Sequence, residues 1–273
     1  MVKTPYLESN FLIEAEDVNC AKSILIDARF SLSDPNLGRQ RYEAGHIPGA
    51  FYLHLEKDLS GFKAQHGGRH PLPDPKTFAT CLARCGISKN SQVIIYDDFR
   101  MAFASRLWWM MKSLDYLPPK IINGGYKAWL ALGNTPENTF TPSLSCEIPQ
   151  VPKEFRNTCD IDMLRDLQSK NLTLVDSREH NRYLGLEEPI DPVAGHIPGA
   201  LNRPWVSATD DSEKLLSNDM QSQRWGDILE SEKIVVYCGS GVTACVNLFS
   251  LHACGRDDAI LYPGSWSDWC SYL

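Results

Sequence analysis

The hexapeptide GHIPGA stands at 45–50 and again at 195–200. Around each copy the same signposts recur in the same order. ILIDARF (24–30) precedes the first copy and LTLVDSRE (172–179) the second, and aligning Asp27 with Asp176 gives an offset of 149. VIIYD (93–97) matches IVVYC (234–238) at an offset of 141, and GGYKAW (124–129) matches GSWSDW (264–269) at 140. A lone hexapeptide can recur by accident, but an ordered set at nearly constant offset means one structural unit built twice. The 273 residues suit two units of ~150 residues each.

Each copy contains short apolar runs of strand length: 23–27, 93–96 and 120–122, then 172–176, 233–237 and 259–262. Helix-like segments alternate with them, over Pro75–Cys85, Ala102–Leu114, Ile161–Gln168 and Thr243–Ala253. That alternation predicts an α/β chain of two tandem domains, each a mostly parallel sheet flanked by helices. Loops beyond the carboxyl ends of the strands are then the expected site positions. The Pro-rich stretch 134–152 lacks helical periodicity. The expected organisation is a domain over 1–135, a linker over 136–157 and a second domain over 158–273.

A net charge of −7 argues against a nucleic-acid surface. No apolar run is long enough for a membrane span, and the most apolar helical stretch, MAFASRLWWMMKSL, is interrupted by Arg106 and Lys112. The start lacks the pattern of a signal or transit peptide, so the cytoplasm is the expected location. Nine cysteines, with no CxxC pair, fit neither a disulfide framework nor a zinc cluster, and no metal site is expected. Most are expected to be small buried core residues, with Cys270 a candidate for exposure. The tryptophans are read as core.

Cys238 differs from the other cysteines. YCGSGVTACV (237–246) turns from an apolar strand into a helix through Gly239 and Gly241. Glycine tolerates positive φ, so such a loop can curl its N–H groups inward into a positively polarised nest at a helix N-terminus. A thiol there is expected to ionise more readily than a free cysteine of pKa about 8.5, and the thiolate is a nucleophile. The bland alternative is a buried cysteine at a tight turn. The first copy carries Asp97 at the matching position, followed by DDFRMAFAS, a stretch without glycine. On this reading the first copy has lost both nucleophile and nest, and its loop is longer. One half is scaffold and the other works.

CGSGVTA, the paired GHIPGA blocks and SWSDW resemble the two-domain rhodanese-type sulfurtransferases, and within them the 3-mercaptopyruvate sulfurtransferases. The resemblance runs from about residue 11 to 270. It implies that Cys238 takes sulfur from a small-molecule donor as a persulfide and passes it to a small thiol, thioredoxin or cyanide, with no cofactor. The loop residues Gly239, Gly241, Val242 and Thr243 would line the donor site. Thiosulfate enzymes of this kind carry cations directly after the cysteine, where this chain has Gly239 and Ser240, so mercaptopyruvate is the favoured donor. Its carboxylate would need an arginine from outside the loop, because a guanidinium grips a carboxylate through two parallel bonds. Arg178 fits best and Arg182 is second. The family's glycine before that second arginine is Asn181 here, and Arg182 can equally be a surface ion pair with Glu179 or Glu187.

Ser240 can relay a proton. The resemblance suggests a first-domain histidine, matched to His46, acting with the serine and an aspartate, for which Asp34 is nearest. The recurrence of GHIPG at 195–199 points instead to a turn anchor. Thiosulfate transfer and a non-metabolic persulfide relay stay open. A Cys-x5-Arg phosphatase is disfavoured, since position 244 is alanine.

Overall fold

The computed structural model describes residues 11–168, 170 and 172–273. β1 (Leu12–Ile13), β2 (Ile24–Asp27), β3 (Phe51–Tyr52), β4 (Val93–Tyr96) and β5 (Lys120–Ile122) form one sheet in the order β1-β5-β4-β2-β3. β6 (Thr173–Asp176), β7 (Leu201–Asn202), β8 (Ile234–Tyr237) and β9 (Ile260–Leu261) form a second in the order β7-β6-β8-β9. Every pairing is parallel. The central strands β4 and β8 are buried at every residue, which is why they read as unbroken apolar runs rather than alternating ones.

The helices Ala102–Ser113 and Ala244–Ala253 follow β4 and β8 in their repeats. They pack on one another at the centre of the molecule. Trp108 meets Phe249 edge-on at 4.8 Å, and Phe11 meets the same ring at 5.2 Å. One continuous apolar core runs through this seam and takes in Ile95 of β4, Val236 of β8 and Cys238. Each large apolar side chain buried there contributes about 1.5–3 kcal/mol. The halves are joined like a domain interior, so loops of one can build a site for the other.

Residues 136–157 contain no helix, yet they are not a free tether. Glu137 exchanges main-chain hydrogen bonds with His46 (2.9 and 3.0 Å), and the Cys146 N–H donates to the Ala83 carbonyl. Among the described residues no helix is long and apolar enough to cross a membrane.

Candidate functional site

The chain leaves β8 at Cys238 and enters its helix at Ala244. Gly241 makes the turn possible: its φ is +73°, and a Cβ there would stand 2.4 Å from the Pro263 carbonyl oxygen. The segment 264–267 holds the loop from outside. Trp266 and Ser267 donate N–H bonds to the carbonyls of Cys238 and Gly239 (3.0 and 2.9 Å), while the Cys238 N–H donates to Ser265 Oγ at 3.1 Å. Val242 is buried and, with Thr243, accepts the first hydrogen bonds of the helix. Among the described residues no main-chain N–H from Gly239 to Thr243 donates to a protein acceptor. They remain available to an anion.

The first repeat shows what such a loop does. Asp97 stands where Cys238 does, and its carboxylate accepts N–H bonds from Phe99, Met101, Phe103 and Ala104 at 2.9–3.1 Å. The expectation that this copy had lost its nest is therefore corrected. The N–H groups still curl inward, around a built-in anion. Nor is the loop longer: its helix starts at Ala102, five residues after Asp97, against six between Cys238 and Ala244. Burial still raises Asp97 to about 6.

Ser240 is buried, with Oγ 2.8 Å from Nδ1 of His70. This histidine belongs to the first repeat, in the segment HGGRH (66–70). Gly67 and Gly68 have φ of +96° and +82°, and a Cβ on Gly68 would lie 2.4 Å from the Gly264 carbonyl oxygen. The segment can therefore lie against 264–268, where the Gly67 N–H donates to Asp268 (2.7 Å) and the Arg69 N–H to Ser267 Oγ (3.0 Å). Burial first, then the charge of Arg106, pushes His70 down to about 3, so the imidazole is neutral at physiological pH. Its Nε2 stands 3.9 Å from the Glu56 carboxylate.

Arg106 was read only as an interruption of a core helix. Its guanidinium is fully buried and donates to the carbonyls of Gly241 (2.9 Å), His70 (3.0 Å) and Leu59 (3.5 Å). It thus fastens the cysteine loop to the His70 strap, and its charge interacts with Cys238 and Cys245.

The structure does not bring His46 to Ser240. Its Nδ1 bonds the Tyr42 carbonyl at 2.7 Å and its ring stacks on Tyr42 at 3.8 Å. His196 does the same with Tyr183, at 2.7 and 3.9 Å. A role repeated in both halves belongs to the turn. Arg178 likewise has its guanidinium committed to other partners, Glu188 among them at 3.2 Å. It is 1% exposed, grips Asp176 through several bonds of 2.6–3.1 Å and donates to the Gly195 carbonyl. In the first repeat Arg29 does so with Asp27 and Gly45. Arg182 has the place expected of Arg178: its guanidinium nitrogens lie 3.5–3.6 Å from where a Cβ on Gly239 would be. It pairs with Glu188 (2.6 Å) and Asp191 (3.3 Å), not with Glu179 or Glu187. Asp34 is exposed and caps its own turn through the Asn36 N–H, and Cys270 is buried rather than exposed.

The Rhodanese-like domain model matches residues 12–132 and 161–272. A Pseudomonas aeruginosa protein named as a probable 3-mercaptopyruvate sulfurtransferase is 39% identical over 258 residues, covering 90% of this chain and 88% of that protein. A Mycobacterium tuberculosis protein named as a thiosulfate sulfurtransferase is 36% identical over 263 residues, covering 90% and 87%. The structure of 3-mercaptopyruvate sulfurtransferase from Leishmania major superposes with a TM-score of 0.84 at 27% identity, over 99% of this chain and 76% of that one. Two copies of one sheet, a cysteine loop in the second and matching relatives along nearly the whole length lead to one assignment: the chain belongs to the rhodanese family of sulfurtransferases.

Proposed function

We propose that the chain moves the sulfur of 3-mercaptopyruvate through a persulfide on Cys238 to a thiol acceptor and releases pyruvate. The observation that carries this reading is the placement of Arg182. The residues directly after the nucleophile, Gly239 and Ser240, are uncharged, while a guanidinium from another segment stands beside Gly239. A donor whose carboxylate is separated from its sulfur by two carbons fits that spacing better than a compact dianion.

In the first half-reaction the Cys238 thiolate attacks the donor sulfur. The carbon–sulfur bond breaks, its electron pair passes to the carbon fragment, and pyruvate enolate leaves. The donor thiol's own proton, relayed through the Ser240 hydroxyl that neutral His70 orients, passes to the enolate carbon, completes pyruvate and leaves the persulfide as an anion. The N–H groups of Gly239 to Thr243 stabilise the persulfide anion as they would any anion at a helix N-terminus. In the second half-reaction an acceptor thiolate, from a small thiol or thioredoxin, attacks the outer sulfur and frees Cys238. A second thiol then yields sulfide and a disulfide; cyanide would leave as thiocyanate.

Thiosulfate is the second reading, favoured by the two guanidinium groups near Gly239. Weighing the intact protein after incubation with 3-mercaptopyruvate, thiosulfate or buffer tests both. Uptake of one sulfur atom from the first donor, lost in Cys238→Ser, is the expected result. Uptake from thiosulfate alone would replace the main reading. Uptake from neither would point to a relay charged by another protein.

A further inference from the structure

Arg106 is 0% exposed, and among the described residues no carboxylate pairs with it. Its bonds go to the carbonyls of Gly241, His70 and Leu59, which are neutral acceptors, and its Nε is buried without a hydrogen-bond partner. A guanidinium taken out of water needs an opposite charge, because stranding it costs several kcal/mol. Burial pushes Arg106 down, and the groups whose charges pull it back up are Cys245 and Cys238. Burial also pushes the Cys245 thiol up to about 12, so that thiol is neutral at physiological pH. That leaves the sulfur of Cys238.

The other cations beside the loop are already offset. Arg69 and Arg182 stand 3.1 and 3.5 Å from where a Cβ on Gly239 would be, and both pair with Asp191, Arg182 also with Glu188. His70, behind Ser240, is neutral. Arg106 alone among these is uncompensated. Its bond to the loop also has a direction. Peptide 241–242 is planar and trans, so the Gly241 carbonyl that accepts from Arg106 and the Val242 N–H point opposite ways. That N–H donates to no protein acceptor among the described residues. A cation on the carbonyl polarises the peptide and makes its N–H a stronger donor to an anion.

We propose that Arg106 is the counter-cation of the Cys238 sulfur: from the first repeat it stabilises the thiolate and then the persulfide anion, through its own charge and through the Val242 N–H. The proposal rests on the sulfur-carrier reading of Cys238 and gives the first repeat a share in the nucleophile itself. Arg106 acts through the loop without touching the donor, which makes it a positioning residue. The alternative is a guanidinium that only fastens three carbonyls.

The test follows alkylation of Cys238 by iodoacetamide across pH, using mass spectrometry with the adduct located to Cys238. Arg106→Met should move the whole profile about one pH unit upward, the lower end of what a nearby opposite charge does. The rate at pH 7 then falls on the order of tenfold while the alkaline plateau is kept. Arg106→Lys keeps the cation and should stay nearer the wild-type profile, although it loses the fork. A fastening role alone would lower the melting temperature of both variants and leave the profile in place. Should Arg106→Met fail to fold, the native arginine still decides. Its Nε–H signal in NMR should shift over the pH range in which Cys238 becomes reactive, and stand still over that range in Cys238→Ser. His70 at about 3 and Cys245 at about 12 titrate far to either side of neutral pH. An unmoved profile in Arg106→Met, or an Arg106 signal that behaves alike with and without the Cys238 thiol, would overturn the proposal. If wild-type protein takes up sulfur from no donor yet both signatures appear, the transfer reading fails and the counter-cation stands.

Discussion

Nδ1 of His70 and Oγ of Ser240 lie 2.8 Å apart although 170 residues separate them in the chain. Each sits in a different repeat. The pair exists because Gly67 and Gly68 let the strap of the first repeat lie against residues 264–268 of the second.

If the pair relays the proton that completes pyruvate, His70→Gln and Ser240→Ala should each lower kcat for pyruvate release by about 10²–10⁴-fold. The double variant should be little worse than either single one, because the two act as a unit. Alkylation of Cys238 by iodoacetamide should persist in all three. Steady-state kinetics check the first two statements; a His70→Gln enzyme with full turnover would remove the relay.

Arg178 and Arg182 separate cleanly by measurement. Arg178→Ala leaves Asp176 buried without its cation, a defect that typically costs about 3–5 kcal/mol. A large fall in melting temperature is expected. Arg182→Ala, at the rim of the loop, should melt closer to wild type but show a raised KM for the donor. Similar melting losses in the two variants would contradict these separate roles.

The sheets, the main helices and the cysteine turn were legible because they depend on local patterns: apolar runs buried on both faces, and glycines where φ is positive. The roles of Arg178 and His46 were decided elsewhere. Each has a counterpart in the other half, Arg29 and His196, that repeats its main bonds, Arg178 adding only a pair with Glu188. A residue duplicated in the half without a nucleophile is scaffold, and that test was available from the repeat alignment. His70, Arg69 and Arg106 were missed because they act across the seam, and no pattern within one repeat reports what the other half presses against. The one local hint was HGGRH, two glycines ahead of an arginine and a histidine.

Asp97 gives a pH signature to the first repeat. Its folded-state value is raised from 3.8 to about 6 by burial. The protonated form is thus favoured in the folded protein, and that contribution is present below about pH 4 and lost as pH rises to about 6. Asp97→Asn should remove this falling component from the stability curve between those values. Asp97→Ala, which strands the four N–H donors, should cost about 1–3 kcal/mol or more. Denaturant melts across pH check both; superimposable wild-type and Asp97→Asn curves would contradict the buried anion.

Arg106 couples the strap to the loop electrostatically as well as through hydrogen bonds. Burial and then the Arg106 charge lower His70 from 6.5 to about 3. An unfolded chain binds a proton on this histidine below about pH 6.5, whereas the folded protein refuses it until about pH 3. The stability contribution is therefore whole above the upper value and drains away as pH falls, at up to ~1.4 kcal/mol per pH unit. Arg106→Met removes the cation, so His70 should titrate at higher pH and the acid loss should end sooner. Burial remains, so the shift should stop short of 6.5. At neutral pH the same variant should lose about 1–3 kcal/mol, because the Gly241, His70 and Leu59 carbonyls lose a shared donor. Histidine ring proton shifts followed by NMR, with His70→Gln to assign the signal, report the titration directly. An unmoved His70 midpoint in Arg106→Met would mean that the guanidinium only fastens carbonyls and leaves the relay's charge state to burial and to the charges of Arg69 and Lys63.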